Sequence, residues 1–267
     1  MTAQYVAVEP TRARPSRGRL FLGFGTVFRK EVTEWLRGRR AIVVAIVSML
    51  SVAFTTLVPF VVRATGQASS GPPLTMDPTA NVLYGWGGQT IQIVALIATM
   101  GLLSVERDRG TLAWNLANPV SRASVLFAKF GAAFLAIGIL SVLLPIALSV
   151  VIATVAYGGI PDLQTVGTFA VLYLTVPAFW IALTIALGTF IKSAGGIAGI
   201  GFAVMLLPTL VAGFVPFVNE ISPTSIGIWA IAAATGAPAS GLTLVGWLVA
   251  MGTLLIGAKL VFDRQEF

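Results

Sequence analysis

Residues 41–62 read AIVVAIVSMLSVAFTTLVPFVV, an uninterrupted apolar run with no charged side chain. A helix rises 1.5 Å per residue, so about 20 apolar residues cross a hydrocarbon layer of roughly 30 Å. A helix on the surface of a soluble domain would show a polar face, and this run has none. Its solvent is therefore lipid.

Working outward, five more runs follow, at about 82–104, 123–156, 164–191, 195–218 and 241–261. Each is long enough for one crossing. The third is longer than needed, so it is expected to tilt or to extend beyond the membrane. The fold class is all-α integral membrane, with six transmembrane helices. Composition agrees. Only 10% of residues are charged and 57% are hydrophobic, whereas a soluble domain carries about 25% charged residues.

The segments between the runs have their own character. Residues 1–19 are polar, with four arginines and two prolines, and read as a disordered tail. The first apolar run starts too late and is too long for a signal peptide. In residues 20–40, Phe24, Val27, Phe28, Val32, Trp35 and Leu36 recur at helical spacing, with Arg29, Lys30, Glu31, Glu34 and Arg37 between them. This predicts an amphipathic helix. It is expected on the membrane surface with Trp35 at headgroup depth, or packed on other protein. Near the C-terminus, Ile226–Ala234 is apolar but too short to span. Ser222-Pro223 reads as its start, and Gly236 and Pro238 as its stop. It is expected to lie in, or dip into, the outer leaflet. Residues 20–267 are read as one transmembrane domain.

Charge sets the orientation, because loops on the cytoplasmic side collect Lys and Arg. With the N-terminus inside, the tail and amphipathic helix place Arg12, Arg14, Arg17, Arg19, Arg29, Lys30, Arg37, Arg39 and Arg40 in the cytoplasm. Arg107, Arg109, Arg122, Lys129, Lys192, Lys259 and Arg264 join them, which leaves Arg63 alone outside. Both termini are expected in the cytoplasm. The basic balance, a net +7, then orients the chain in the membrane, and nucleic acid is not an expected partner. Compact size and a lack of glycosylation sequons point to a prokaryotic plasma membrane.

Several chemistries lack their residues. There is no histidine and no cysteine, so thiolate metal sites, nucleophilic cysteine and the usual general base are excluded. No acidic pair falls within an apolar run, so no proton relay is expected. Gly23-Phe24-Gly25 is not a dinucleotide fingerprint, because Phe28 replaces the third glycine and no strand precedes it. The stretch Gly188–Ser193 has Ile191 where a phosphate loop needs glycine. Neither a catalytic residue nor a metal ligand is expected. What remains is a path through a membrane. Thr55, Gln89, Gln92 and Thr99 are its candidate lining residues, and Gln92 is the most costly of them to place against lipid.

The loop between the second and third runs, VERDRGTLAWNLANPVSRASVLFAK from Val105 to Lys129, is the densest in signals. Glu106, Arg107, Asp108 and Arg109 form a charged patch. Gly110 breaks the helix. Thr111 can cap a short helix bearing Leu112, Trp114 and Leu116, which Asn118-Pro119 ends, and Ser121 can cap the next span. An apolar helix ringed by charge is expected to be a docking surface; a tight turn with snorkelling arginines is the plainer reading.

Here the sequence resembles the type-2 ABC transporter permeases. Glu106, then Gly110-Thr111-Leu112, then Pro119-Val120-Ser121-Arg122, then Lys129 is similar to that family's pattern in this loop. Phe28-Arg29-Lys30-Glu31 with Leu36-Arg37 resembles its elbow-helix opening, and Phe262–Phe267 resembles its ending. The resemblance covers about 20–267. It implies the membrane subunit of an ATP-driven exporter, paired with a second permease copy or sister chain, each docked on a separate cytoplasmic ATPase that binds ATP-Mg. It implies that residues around Glu106–Asn118, with Arg122, form a coupling helix. It also implies that the elbow helix, with Phe28, Lys30, Glu31, Trp35 and Arg37, braces that helix, and that spans one, two and five line the path. Ala113-Trp114 departs from the acid or leucine pair common after GTL. No cofactor is expected on this chain. The alternatives are an ion-coupled carrier, which would need a buried acid or inverted repeats, and a non-transport membrane scaffold.

Overall fold

The computed structural model describes residues 21–65, 77–84, 86, 90–110 and 120–265. The tail at 1–19, Gln89 and the expected coupling helix at Thr111–Asn118 lie outside the described residues. Every regular element among the described residues is helical.

Six helical stretches are long and apolar enough to cross a membrane: Arg39–Val62, Thr90–Asp108, Arg122–Tyr157, Leu163–Phe190, Ala194–Ala212 and Gly241–Arg264. These match the six runs, with shifted ends. The fourth span is the centre of the bundle, with 72% of its most apolar stretch buried, against 17% for the fifth and 11% for the sixth. Apolar side chains on those outer spans face outward, as expected where lipid or another subunit is the neighbour.

The amphipathic segment forms α1 (Phe24–Arg37) and packs mainly along α6 (Arg122–Ile137), the start of the third span. Trp35 is buried against protein, so this face of the helix is packed, which is compatible with a place at the membrane surface. The first span is α2 (Arg39–Ala64). Its buried residues Ala41, Val44, Ser48, Val52 and Thr56 recur every three or four positions, which puts them on one face. That face meets the third span, where the Ser48 hydroxyl donates to Ser141 at 3.0 Å and the Tyr157 hydroxyl donates to the Thr56 carbonyl at 2.8 Å.

The second run is broken where the sequence suggested one helix. Asp77 caps the short α3 (Pro78–Tyr84), its Oδ1 accepting from the Thr79 amide at 2.9 Å. The span itself is α4 (Thr90–Thr99) and, after a turn, α5 (Ser104–Asp108). The long third run is one helix of 36 residues. It contains a π-helical turn at Gly138–Leu143 between α6 and α7 (Leu144–Tyr157). Pro145 lacks an amide hydrogen and cannot bond the carbonyl one turn back, so the ladder loosens there.

The fourth span comprises α8 (Leu163–Tyr173) and α9 (Thr175–Phe190), divided at Leu174 just before Pro177. The fifth span, α10 (Ala194–Ala212), stops six residues short of its expected end. The chain turns through Pro216 into α11 (Phe217–Ile221). The short apolar helix is present as α12 (Ile226–Thr235), with Ser222 capping a leading 3-10 turn and Gly236 (φ 69°) closing it in the left-handed region. The sixth span is α13 (Gly241–Arg264).

Candidate functional site

The elements gather into two ends. One holds α3, the turn before Leu163 and the α11–α12 segment; there the Asp162 amide donates to the Thr79 hydroxyl at 2.8 Å. Asp162 caps α8 through the Gln164 and Thr165 amides. Its bond from the Thr165 hydroxyl, with those amides, holds its carboxyl below the ordinary value. The other end holds α1, α5, the start of α6 and the ends of α9 and α13. Most of the predicted site residues fall at this second, basic end.

Its centre is Lys129. The ammonium lies 2.7 Å from Glu31 Oε1 and 2.7 Å from Glu106 Oε1, and the Lys129 side chain is 2% exposed. Three elements supply the triad: α1, α5 and α6. Lys129 stands two turns into α6, about 10 Å from Arg122 at 1.5 Å per residue. The third span is longer than the hydrocarbon is thick, so these first turns can sit at the edge of the bilayer. Two carboxylates share one ammonium. Burial pushes the Glu31 carboxyl above its ordinary value; contact with Lys129 pulls it back, and the charges of Glu106 and Glu34 add to the rise. The upward push wins because the burial of the Glu31 carboxyl outweighs the pull of a lysine it shares with Glu106.

The neighbouring arginines are staples between helices. Arg107 Nη1 donates to the Gly188 carbonyl at 3.0 Å and to the Thr189 carbonyl at 2.7 Å. Arg122 Nη1 donates to the Phe262, Asp263 and Gln265 carbonyls at 2.8, 2.9 and 2.6 Å. The last carbonyls of a helix have no partner within it and carry the negative end of its dipole. A guanidinium satisfies both needs. The second span is thereby tied to the fourth, and the third to the sixth.

The charged patch therefore divides. Glu106 and Arg107 turn into the protein. Asp108, Arg109 and Gly110 are exposed, and Gly110 takes φ 67°, which accounts for the glycine there. Thr111, Leu112 and Trp114 lie outside the described residues. On α1, Phe28 is half-buried against the Gly131 surface, Lys30 pairs with Glu34 at 3.7 Å, and Arg37 is exposed.

Of the candidate path residues, Thr55, Gln92 and Thr99 are described, and each bonds to a different neighbour. Thr55 bonds back to the Ser51 and Val52 carbonyls. Thr99 is fully buried and accepts from the Thr184 hydroxyl at 2.9 Å, on the fourth span. Gln92 is buried; its amide reaches the Thr224 carbonyl at 3.4 Å, before α12, and its Oε1 has no partner among the described residues.

Sequence reasoning missed the triad. It sought acids within one apolar run, whereas Glu31 and Glu106 come from two polar segments. The signal available was Lys129, a lysine two turns inside an apolar helix, which needs a buried counter-charge.

A model of the ABC-2 family of transporter proteins matches residues 25–267. The chain belongs to the ABC-2 transporter family. This ABC-2 chain is a multi-pass membrane protein, and its membership makes it a transport subunit with no catalytic centre of its own, in a family whose members generally pair with an ABC ATPase. A search of curated proteins found no match.

Proposed function

We propose that the chain is the permease of an ATP-driven exporter in the plasma membrane, paired with a second permease and moved by a separate ATPase at its basic end. The triad carries this reading. The Glu31–Lys129–Glu106 contact joins the elbow helix α1, the end of the second span and the third span at the base of the loop 105–122. The Arg107 and Arg122 staples extend that base to the fourth and sixth spans. A push on the loop thus reaches five elements through hydrogen bonds and ion pairs.

In this reading the basic end faces the cytoplasm, Asp108, Arg109 and Trp114 meet the ATPase, and ATP-Mg binds on that partner. Spans one, two and five line the path between the two permeases, with Gln92 beside it. The triad does not favour an ion-coupled carrier, since it lies near a bundle end and not midway along the spans.

Co-purification tests the proposal. Expressed from its native membrane, the chain should bring an ATPase with it. D108R/R109E and W114A should uncouple ATP hydrolysis from transport while leaving the spans folded. A chain that never associates with an ATPase contradicts the proposal. Transport that follows an ion gradient and ignores ATP depletion would point to the carrier instead.

A further inference from the structure

Between α1, the first turn of α2 and the end of the second span lies a cavity of about 680 Å³. Its floor is the triad. Around it stand Lys30, Trp35, Arg39, Arg40 and Arg109, with Glu34. The carboxylates are engaged: Glu31 and Glu106 with Lys129, and Glu34 with Lys30. Arg39, Arg40 and Arg109 are exposed, and no carboxylate lies within ion-pair distance of them among the described residues. Arg40 lies 5.3 Å over the Trp35 ring, which holds a guanidinium in place without neutralising it.

The place of these arginines on α2 matters as much as their charge. Arg39 and Arg40 open the first span, at the level where polar surface gives way to hydrocarbon. Counting from Arg39, Val43, Ile46 and Leu50 follow at four, seven and eleven residues, so they lie on one face below it. They are 58%, 52% and 66% exposed. Cations at the boundary, a cavity beside them and an apolar stripe beneath match an amphiphile with a negative head.

We propose that this cavity binds an anionic phospholipid, with its phosphate held by Arg39, Arg40 and Arg109 and an acyl chain lying along Val43, Ile46 and Leu50. The proposal requires only that the chain spans a bilayer; it shares Arg109 with the proposed ATPase contact, and lipid retention is measured with no ATPase present, so the two readings fail separately. The shape of the site favours lipid over a soluble anion, because a free phosphate would make no use of the stripe.

The test uses the full-length chain in nanodiscs of phosphatidylcholine with a minor fraction of phosphatidylglycerol, with native mass spectrometry counting the retained phosphatidylglycerol. R39Q/R40Q/R109Q should weaken its retention at least five-fold. R29Q/R37Q/R264Q, which removes three exposed cations outside the cavity, should change it less than two-fold. Equal losses in both variants would mean general surface charge and would overturn the site. No loss in the first would do the same. Displacement of the lipid by millimolar glycerophosphate would overturn the acyl-chain half of the proposal. R109Q alone, at the exposed end of α5, serves if the triple variant does not fold, and a two-fold or greater loss is expected from it; full retention would count against the site.

Discussion

Lys129 Nζ donates to Glu31 Oε1 at 2.7 Å across 98 positions of sequence, joining the third span to the amphipathic helix. Among the described residues it is the one salt bridge that joins α1 to another helix. With it, the helix has a fixed register, because a buried ammonium accepts no misplacement of its partner.

Removing the ammonium should be far worse than removing either acid. K129M leaves the buried Glu31 and the part-buried Glu106 without their shared counter-charge and should destabilise the protein by about 3–5 kcal/mol. E31Q or E106Q leaves Lys129 one carboxylate and should cost about 1 kcal/mol or less. The double variant strands the ammonium, so its cost should exceed the sum of the singles by about 2 kcal/mol. Thermal unfolding in one detergent checks this, and additive singles would contradict a shared lysine.

The raised Glu31 value sets the sign of a pH effect. Below the ordinary glutamate value of 4.5 the group is protonated both folded and unfolded. As pH rises, the unfolded chain ionises first and the folded protein resists, so stability is lost until the folded value is passed. Wild type should therefore lose stability relative to E31Q as pH climbs from 4.5. A parallel pair of unfolding curves over that window would show that the carboxyl is not perturbed.

The arginine staples predict a difference between charge and geometry. R107A frees the Gly188 carbonyl at the end of α9 and leaves the Thr189 carbonyl to the Gln265 side-chain amide alone, and should cost about 1–3 kcal/mol. R107K keeps the charge and loses the fork, and should recover only part of that. Amide exchange at the end of the fourth span should rise in both, more in R107A. Unchanged exchange there would rule out the staple.

Two glycines should respond differently to the same methyl. A Cβ at Gly246, on the sixth span, would strike the carbonyl oxygen of Ile221, and its backbone carbon at 3.0 Å. Backbone cannot turn aside, so G246A should push α11 away at a cost of about 1–3 kcal/mol. A Cβ at Gly201 would meet the Leu96 side chain, its two methyls and its Cγ, and a side chain, even a buried one, shifts at less cost than backbone. G201A should therefore be the milder of the two, by the unfolding midpoint of each.

Six spans, the α12 punctuation at Ser222 and Gly236, and the Ser121 cap were legible because each rests on local chemistry: run length, a side-chain cap, a left-handed glycine. Ser121 accepts from the Ser124 amide at 3.0 Å, as its position before the third span predicts. The π-helical turn and the split of the second run were not legible. They depend on how neighbours take up freed carbonyls. The pairing of Glu31 with Glu106 around Lys129 was hidden for a related reason, since their contact is a product of the fold and periodicity along one helix does not report it. The inter-helix bonds of Arg107 and Arg122, both read as coupling residues, were hidden for the same cause, their partners being main-chain atoms on distant spans.

The native sequence has no cysteine, so a single introduced thiol reports its own side of the membrane without background. W114C, probed in intact cells with a membrane-impermeant maleimide, measures where the loop between the second and third spans lies. A docking loop driven by a cytoplasmic ATPase predicts no labelling until the cells are opened, and protection from the reagent when that ATPase is bound. Full labelling of Trp114→Cys in sealed cells would place the loop outside and contradict the account.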